Sequence, residues 1–322
     1  MSEPVLDVRD LIVEFSSEDG PLRAVDQVSF QVRRGEIVGL VGESGAGKSL
    51  TSEAILRLIR CPPGRVAGEV RFLGQDLLTL DEAALARIRG KDVAMIFQNP
   101  GASLNPVFRV GDQMLEAMAL HLPEARRTLR ERVIELLGRV GISSPATRAR
   151  DFPHQFSGGM AQRVMIAMGI SCTPSLLIAD EPTTALDVTI QAQVLALIRR
   201  LAREMGVAVL LVSHDLGIIS QMCDRVLVMY AGRVVEEASV GSIFRAPAHP
   251  YTRGLIECLP RLDGGGRLGA IGGTMPGLRA LPSGCRFHPR CPVAEPRCAV
   301  EAPTSRRVAP GQMAACHLVG VA

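Results

Sequence analysis

The chain has 322 residues, of which 47% are hydrophobic, 21% charged and 3% aromatic, with a formal net charge of +3. That apolar content is enough to bury a sizeable core and excludes wholesale disorder, and the charge is too mild to imply a nucleic-acid partner. The acidic start Met1-Ser2-Glu3-Pro4 lacks an apolar stretch, no run has the 18 apolar residues of a membrane span, and the eight cysteines come without an export signal. These features predict a soluble cytosolic chain.

The first elements read as strands. Apolar and polar residues alternate over Val5–Phe15 and again over Ala24–Val32, with a turn at Asp19-Gly20-Pro21 between them. The run Glu36–Val41 reads as a short buried strand entering a glycine-rich loop, and a helix is predicted from Lys48 to about Ile59, stopped by Cys61-Pro62-Pro63-Gly64. Asp92–Phe97 reads as a strand, and residues 110–140 carry apolar positions at helical spacing. A helix is expected over Met160–Ser171 and another over Val188–Glu204. Two wholly apolar strands, Leu176–Ala179 and Val207–Val212, fit a parallel sheet covered on both faces. Asp224–Met229 and Arg233–Glu236 read as a hairpin around Ala231-Gly232. Seven glycines between Leu262 and Gly277 look like a linker, and the Pro-, Arg- and Cys-rich remainder shows no convincing periodicity.

Gly42-Glu43-Ser44-Gly45-Ala46-Gly47-Lys48-Ser49 fits G-x-x-x-x-G-K-[ST] between a strand and a helix. The glycines let backbone N–H groups wrap a phosphate at the helix N-terminus; Lys48 supplies positive charge and the Ser49 hydroxyl a ligand for Mg²⁺. Leu176-Leu177-Ile178-Ala179 ends in Asp180-Glu181, placing two carboxylates at the carboxyl end of a strand, where α/β folds gather their chemistry. Asp180 is positioned to hold Mg²⁺ through water, and Glu181 to orient or deprotonate an attacking water. Ser213-His214-Asp215 is not a hydrolase triad on adjacency alone, because neighbouring strand residues point to opposite faces. A single imidazole, His214, reaching toward the γ-phosphate fits better.

With these motifs in order, Phe156-Ser157-Gly158-Gly159-Met160 followed by Gln162-Arg163 resembles the signature of ATP-binding-cassette (ABC) ATPases. Met160 stands where Gln is commonest and Phe156 where Leu is commoner. In the same resemblance Leu176–Glu181 is similar to the Walker B strand and catalytic carboxylate, Gln98 to the Q-loop glutamine, Ala185-Leu186-Asp187 to the D-loop and His214 to the H-loop histidine. Phe15 takes the place of the aromatic residue that stacks on adenine. Asn99-Pro100, Ser103-Leu104-Asn105-Pro106, His249-Pro250-Tyr251-Thr252 and Gly284-Cys285-Arg286-Phe287-His288-Pro289-Arg290-Cys291-Pro292 narrow the likeness to ATPase subunits of oligopeptide, dipeptide and nickel importers.

The fold implied is α/β: a P-loop nucleotide-binding domain with a parallel core sheet, an antiparallel β subdomain and a helical signature subdomain, plus a small Cys-rich C-terminal domain. Residues 1–250 would form the ATPase domain, with the helical subdomain at about 100–170, and 251–322 the extension. ATP would contact Phe15, Gly42, Glu43, Ser44, Gly45, Ala46, Gly47, Lys48, Ser49 and Gln98. Ser157, Gly158 and Gly159 would act on the ATP of a partner subunit. Glu181 and His214 would be catalytic, and Ser49, Gln98 and Asp180 would hold Mg²⁺. The implied activity is ATP hydrolysis driving peptide import, with a nickel or other small-solute importer, or a soluble non-transport cassette, as alternatives. Its partners would be a second ATPase, two permeases and an extracytoplasmic substrate-binding protein, placing this chain peripherally on the cytoplasmic face of the inner membrane.

Cys285, Cys291, Cys298 and Cys316 are separated by five, six and seventeen residues. Spacing alone leaves zinc, an iron–sulfur cluster and unligated thiols open. The importer resemblance implies a [4Fe–4S] cluster on these four thiols.

Overall fold

The computed structural model describes residues 3–184, 186–259 and 269–320. Its strands in chain order are β1 (Leu6–Phe15), β2 (Leu22–Val32), β3 (Ile37–Val41), β4 (Gly64–Phe72), β5 (Gln75–Asp76), β6 (Val93–Ile96), β7 (Leu176–Asp180), β8 (Ala208–Ser213), β9 (Arg225–Tyr230), β10 (Arg233–Ser239), β11 (Arg306–Ala309) and β12 (Gln312–Ala314). The chain divides into two compact units. One takes Val32–Glu36 and Thr79–Leu210 with the chain's first residues; the other takes Leu6–Gln31, Ile37–Leu78 and residues from Leu211 onward.

In the first unit β6 and β7 pair in parallel, with Val93 opposite Leu176 and Ile96 opposite Ala179. Every residue of β7 is buried, which is why its sequence is an unbroken apolar run ending in an acid. The helices of this unit start where short polar side chains meet backbone donors. Asp81 caps Glu82–Ile88, Ser157 caps Gly158–Ile170 and Asp187 caps Val188–Met205. The helical pattern of 110–140 resolves into Val110–Ala119 and Arg126–Arg139. Pro123 lies in the break, where its missing N–H and fixed φ interrupt a helix.

The second unit holds the four-stranded sheet β2-β1-β4-β5, with β1 and β4 antiparallel and a register shift between Arg9 and Ile12. It also contains the consecutive neighbours β11-β12-β10-β9-β3. β3 and β9 run parallel, whereas β9, β10, β12 and β11 are joined antiparallel. The helix after the glycine-rich loop ends at Ile55 rather than near Ile59, because Leu56 leaves the helical region and Arg57 adopts φ +51.

A helix, Pro250–Glu257, precedes the glycine-rich segment, and the remainder after it, which lacks periodicity in sequence, nonetheless forms the β11–β12 hairpin. β12 adds to the edge of β10, with Glu236 opposite Ala314. Strands of three and four residues are too short to show a pattern; a preformed edge specifies them. Residues 262–268 of the expected glycine-rich linker lie outside the described residues.

Candidate nucleotide site

The loop Gly42–Gly47 leaves the end of β3 and leads into the helix Lys48–Ile55. Its glycines are imposed by crowding. A Cβ at Gly42 would lie 2.2 Å from the Met229 carbonyl oxygen, and Gly47 combines φ +101 with the Ala24 carbonyl oxygen 2.9 Å from a Cβ position. The Gly232 N–H donates to the Ala46 carbonyl at 2.8 Å, tying the loop to the β9–β10 turn. Lys48 is buried, and its Nζ donates to the carbonyls of Gly42 (2.9 Å) and Glu43 (3.1 Å). Ser49 follows in the first helical turn, beside Lys48. Ser44, Gly45 and Ala46 complete the turn, with the Ala46 N–H donating to the Glu43 carbonyl. Phe15 ends β1 opposite Gly64, half-buried.

In the first unit the parallel register brings two predicted residues together. Ile96 and Ala179 are partners, so Gln98 and Glu181, each two residues further on, emerge at the same end of neighbouring strands. Gln98 Nε2 donates to Glu181 Oε2 at 3.0 Å, and Thr184 Oγ1 donates to the same oxygen at 3.0 Å. Glu181 adopts φ +43, a left-handed conformation that costs a non-glycine residue free energy. Asp180, one residue earlier, is buried at the end of β7. Thr184 is a partner the sequence reading missed; its place three residues after Glu181 is the only signal for it.

Ser157, Gly158 and Gly159 open the thirteen-residue helix Gly158–Ile170, and the Ser157 hydroxyl accepts the Met160 N–H at 3.3 Å. Ser157 and Gly158 are exposed. A Cβ at Gly159 would come within 2.7 Å of Ile190 Cγ2, so the close approach of the helix Val188–Met205 requires glycine there. Of the expected D-loop, Ala185 lies outside the described residues and Asp187 caps that helix, accepting the Ile190 N–H at 2.9 Å. His214 is exposed just after β8. Its neighbours are engaged locally: Ser213 Oγ accepts the Asp215 N–H at 3.0 Å, and Asp215 caps Leu216–Met222.

The ABC transporter family matches residues 25–184, and the oligopeptide/dipeptide transporter C-terminal region matches residues 235–298. The dipeptide transport ATP-binding protein DppD of Escherichia coli K12 is 48% identical over 314 residues, 97% of this chain and 96% of that protein. The oligopeptide transport ATP-binding protein OppD of Salmonella typhimurium is 45% identical over 313 residues, 97% and 93% of the two chains. The chain belongs to the ABC transporter family. Its fold is an α/β ABC cassette: the dimeric structure of MJ0796, a bacterial ABC transporter cassette, superposes with a TM-score of 0.65 at 26% identity, covering 73% of this chain and 98% of that one.

For an ABC cassette, ATP and Mg²⁺ are the expected ligands. In the second unit Ser49 carries a hydroxyl, and in the first unit Gln98 and Asp180 carry an amide oxygen and a carboxylate, each a hard oxygen donor of the kind that suits Mg²⁺. Gln98 turns its amide nitrogen toward Glu181, which leaves its oxygen as the atom to face a cation.

The cysteine expectation needs correction. Cys285, Cys291, Cys298 and Cys316 are free thiols, and Cys298 and Cys316 are buried. The Cys285 N–H donates to the Cys298 carbonyl at 2.8 Å, so the segments do meet. Among the described residues, however, no three His, Cys, Asp or Glu side chains gather closely enough to hold a metal ion. Burial pushes the Cys285 and Cys291 thiols up, and the neighbouring cysteines add to this. A [4Fe–4S] cluster on these four thiols is therefore not supported.

Proposed function

We propose that this chain is the ATP-hydrolysing subunit of an importer that carries di- and oligopeptides across the cytoplasmic membrane. The observation that carries the reading is near-half identity to a dipeptide transport ATP-binding protein along 97% of the chain, C-terminal region included. On this reading residues 1–250 are the nucleotide-binding domain, with a helical part at about 100–170, and 251–322 a C-terminal extension.

The chemistry follows from the side chains. Gly42–Ser49 wrap the phosphates with backbone N–H groups, and Lys48 exchanges the Gly42 and Glu43 carbonyls for phosphate oxygens. Phe15 stacks on the base. Ser49, Gln98 and Asp180 would hold Mg²⁺, which would supply neutralising charge to the phosphates. Glu181 accepts a proton from the attacking water; its tether to Gln98 and Thr184 aims the carboxylate and makes Gln98 responsive to what Glu181 binds. His214 contacts the γ-phosphate. Ser157 and Gly158, both exposed, and the half-buried Gly159 lie at a helix N-terminus suited to the γ-phosphate of ATP held by a second, homologous subunit.

The remaining partners are two permeases and an extracytoplasmic substrate-binding protein. Among the described residues no helix is long and apolar enough to cross a membrane, so the chain reaches the cytoplasmic face of the inner membrane through its permeases. A groove of about 420 Å³ in the first unit, bordered by Phe97, Leu120, Met165 and Met168, suits an apolar permease segment. Phe97 adjoins Gln98 in sequence, so pressure in that groove and occupancy at Glu181 are read by consecutive residues.

The test is turnover in the assembled complex purified from membranes. Glu181→Gln should still bind ATP but hydrolyse it at least about 100-fold more slowly, the typical contribution of a general base. Near-normal turnover would remove Glu181 from its role, and failure to recover permeases with the wild-type chain would overturn the importer.

A further inference from the structure

We infer that the C-terminal extension fixes the phosphate-binding loop through Glu43, with Arg290 and Tyr251 as positioning residues for ATP. The inference rests on the reading of Gly42–Ser49 as the phosphate loop and assigns that loop a support from far along the chain.

Each polar group of Glu43 has its own partner. Its N–H donates to Tyr251 Oη at 2.9 Å, across 208 residues of sequence. Its two carboxylate oxygens accept from Arg290 Nη1 and Nη2, both at 3.1 Å, across 247 residues. Its carbonyl accepts from Lys48 Nζ. The two long-range partners are themselves rigidly held. Tyr251 is fully buried, in edge contact with Tyr230 at 4.7 Å and against Phe287 at 5.4 Å between ring centroids. The Arg290 side chain is only 6% exposed; its guanidinium lies 5.7 Å from the Tyr230 ring centroid, and its Nε donates to the Gly272 carbonyl at 2.7 Å. Met275 also runs beside the loop, its Cγ 3.9 Å from a Cβ position at Gly45.

Two physical consequences follow. An N–H in a phosphate loop ordinarily turns inward to the anion. The Glu43 N–H is instead committed to Tyr251, which fixes the orientation of that peptide before nucleotide arrives. A carboxylate on the second residue of the loop would also repel a polyphosphate, and a bidentate guanidinium cancels that charge. When Lys48 leaves the Glu43 carbonyl for ATP, the tethers from the extension keep the loop in the binding shape. The extension thereby lowers the ordering cost of ATP binding and raises affinity rather than the rate of the chemical step.

The test is equilibrium binding of a fluorescent ATP analogue to the full-length chain, with thermal melting in parallel. Arg290→Gln should weaken binding about tenfold, because it leaves Glu43 both mobile and uncompensated. Glu43→Gln breaks the same tether from its other end and should itself weaken binding by a few-fold, and Arg290→Gln should add nothing further in the Glu43→Gln background. A merely structural arginine would cost the same affinity in both backgrounds, and that result would overturn the inference. So would an Arg290→Gln chain that binds like wild type. If Arg290→Gln does not fold, Tyr251→Phe decides: about fivefold weaker binding supports the tether and unchanged binding overturns it. A wild-type chain that takes up no nucleotide would overturn the ATPase reading and the tether with it, whereas wild-type binding with unaffected variants overturns the tether alone.

Discussion

His249 sits 1% exposed at the start of the helix Pro250–Glu257, where its Nδ1 accepts the Tyr251 N–H at 3.1 Å. Burial alone pushes its imidazole down to about 3, so the ring stays neutral in the folded chain. The unfolded chain, with an ordinary value near 6.5, binds a proton that the folded chain refuses. Stability therefore falls as pH drops from about 6.5 toward 3, by about 2 kcal/mol between pH 7 and pH 5. Asn keeps a capping oxygen but cannot titrate. Urea unfolding at the two pH values should show His249→Asn less stable than wild type at pH 7, with a smaller further loss at pH 5. An equal pH-dependent loss in both proteins would count against His249 as its source. The capping residues around the site, Ser157, Asp187 and Asp215, belong to the same scale and are legible in sequence, because a cap is defined within three or four residues.

Between elements, the device that joins the extension to the first sheets is a cluster of arginines on one carboxylate. Asp26 of β2 accepts from Arg23 at 3.0 Å, from Arg233 of β10 at 2.7 Å and from Arg286 of the extension. Its side chain is 1% exposed. Burial raises the Asp26 carboxyl, but the hydrogen bond and charge of Arg233, the charge of Arg286 and the hydrogen bond of Arg23 together hold it below the ordinary carboxylate range. A depressed folded value means that this stabilisation is present above the unfolded value of about 4 and is lost as pH falls below it. Asp26→Asn should cost about 3 kcal/mol at pH 7, since it leaves buried guanidinium charge uncompensated. Thermal unfolding should also show the variant losing less stability than wild type on acidification from pH 5 to pH 3. None of this cluster was readable beforehand: arginine is abundant in the sequence, and nothing local marks Arg233 or Arg286 as partners of residue 26.

For the whole molecule, function depends on surfaces turned toward other chains. Leu120 is 76% exposed and Phe97 41% exposed at the groove in the first unit, an expensive arrangement for apolar side chains unless something covers them. Leu120→Asp should leave the melting temperature within a degree or two of wild type, since the side chain packs on little in this chain. It should sharply reduce recovery of permeases when tagged protein is drawn from membranes. Undiminished recovery would place the permease contact elsewhere.

The sequence by itself determined the chemistry that is local. A phosphate loop is a run of eight residues, a buried strand ending in Asp180-Glu181 is a run of six, and each carries its signal in spacing and residue type. The resemblance extended that signal to Gln98 and Ser157. Tertiary structure alone decided what meets what. The β6–β7 register puts Gln98 on Glu181 across 83 residues, an edge on β10 recruits β12, and Arg290 reaches Glu43 across 247. Among the described residues the four tail thiols form no metal-holding group, a point their spacing left open. The reason is physical. Propensity, capping and loop geometry act over a few residues, whereas pairing between distant segments is fixed by packing and by the burial of charge, which no short stretch of sequence contains.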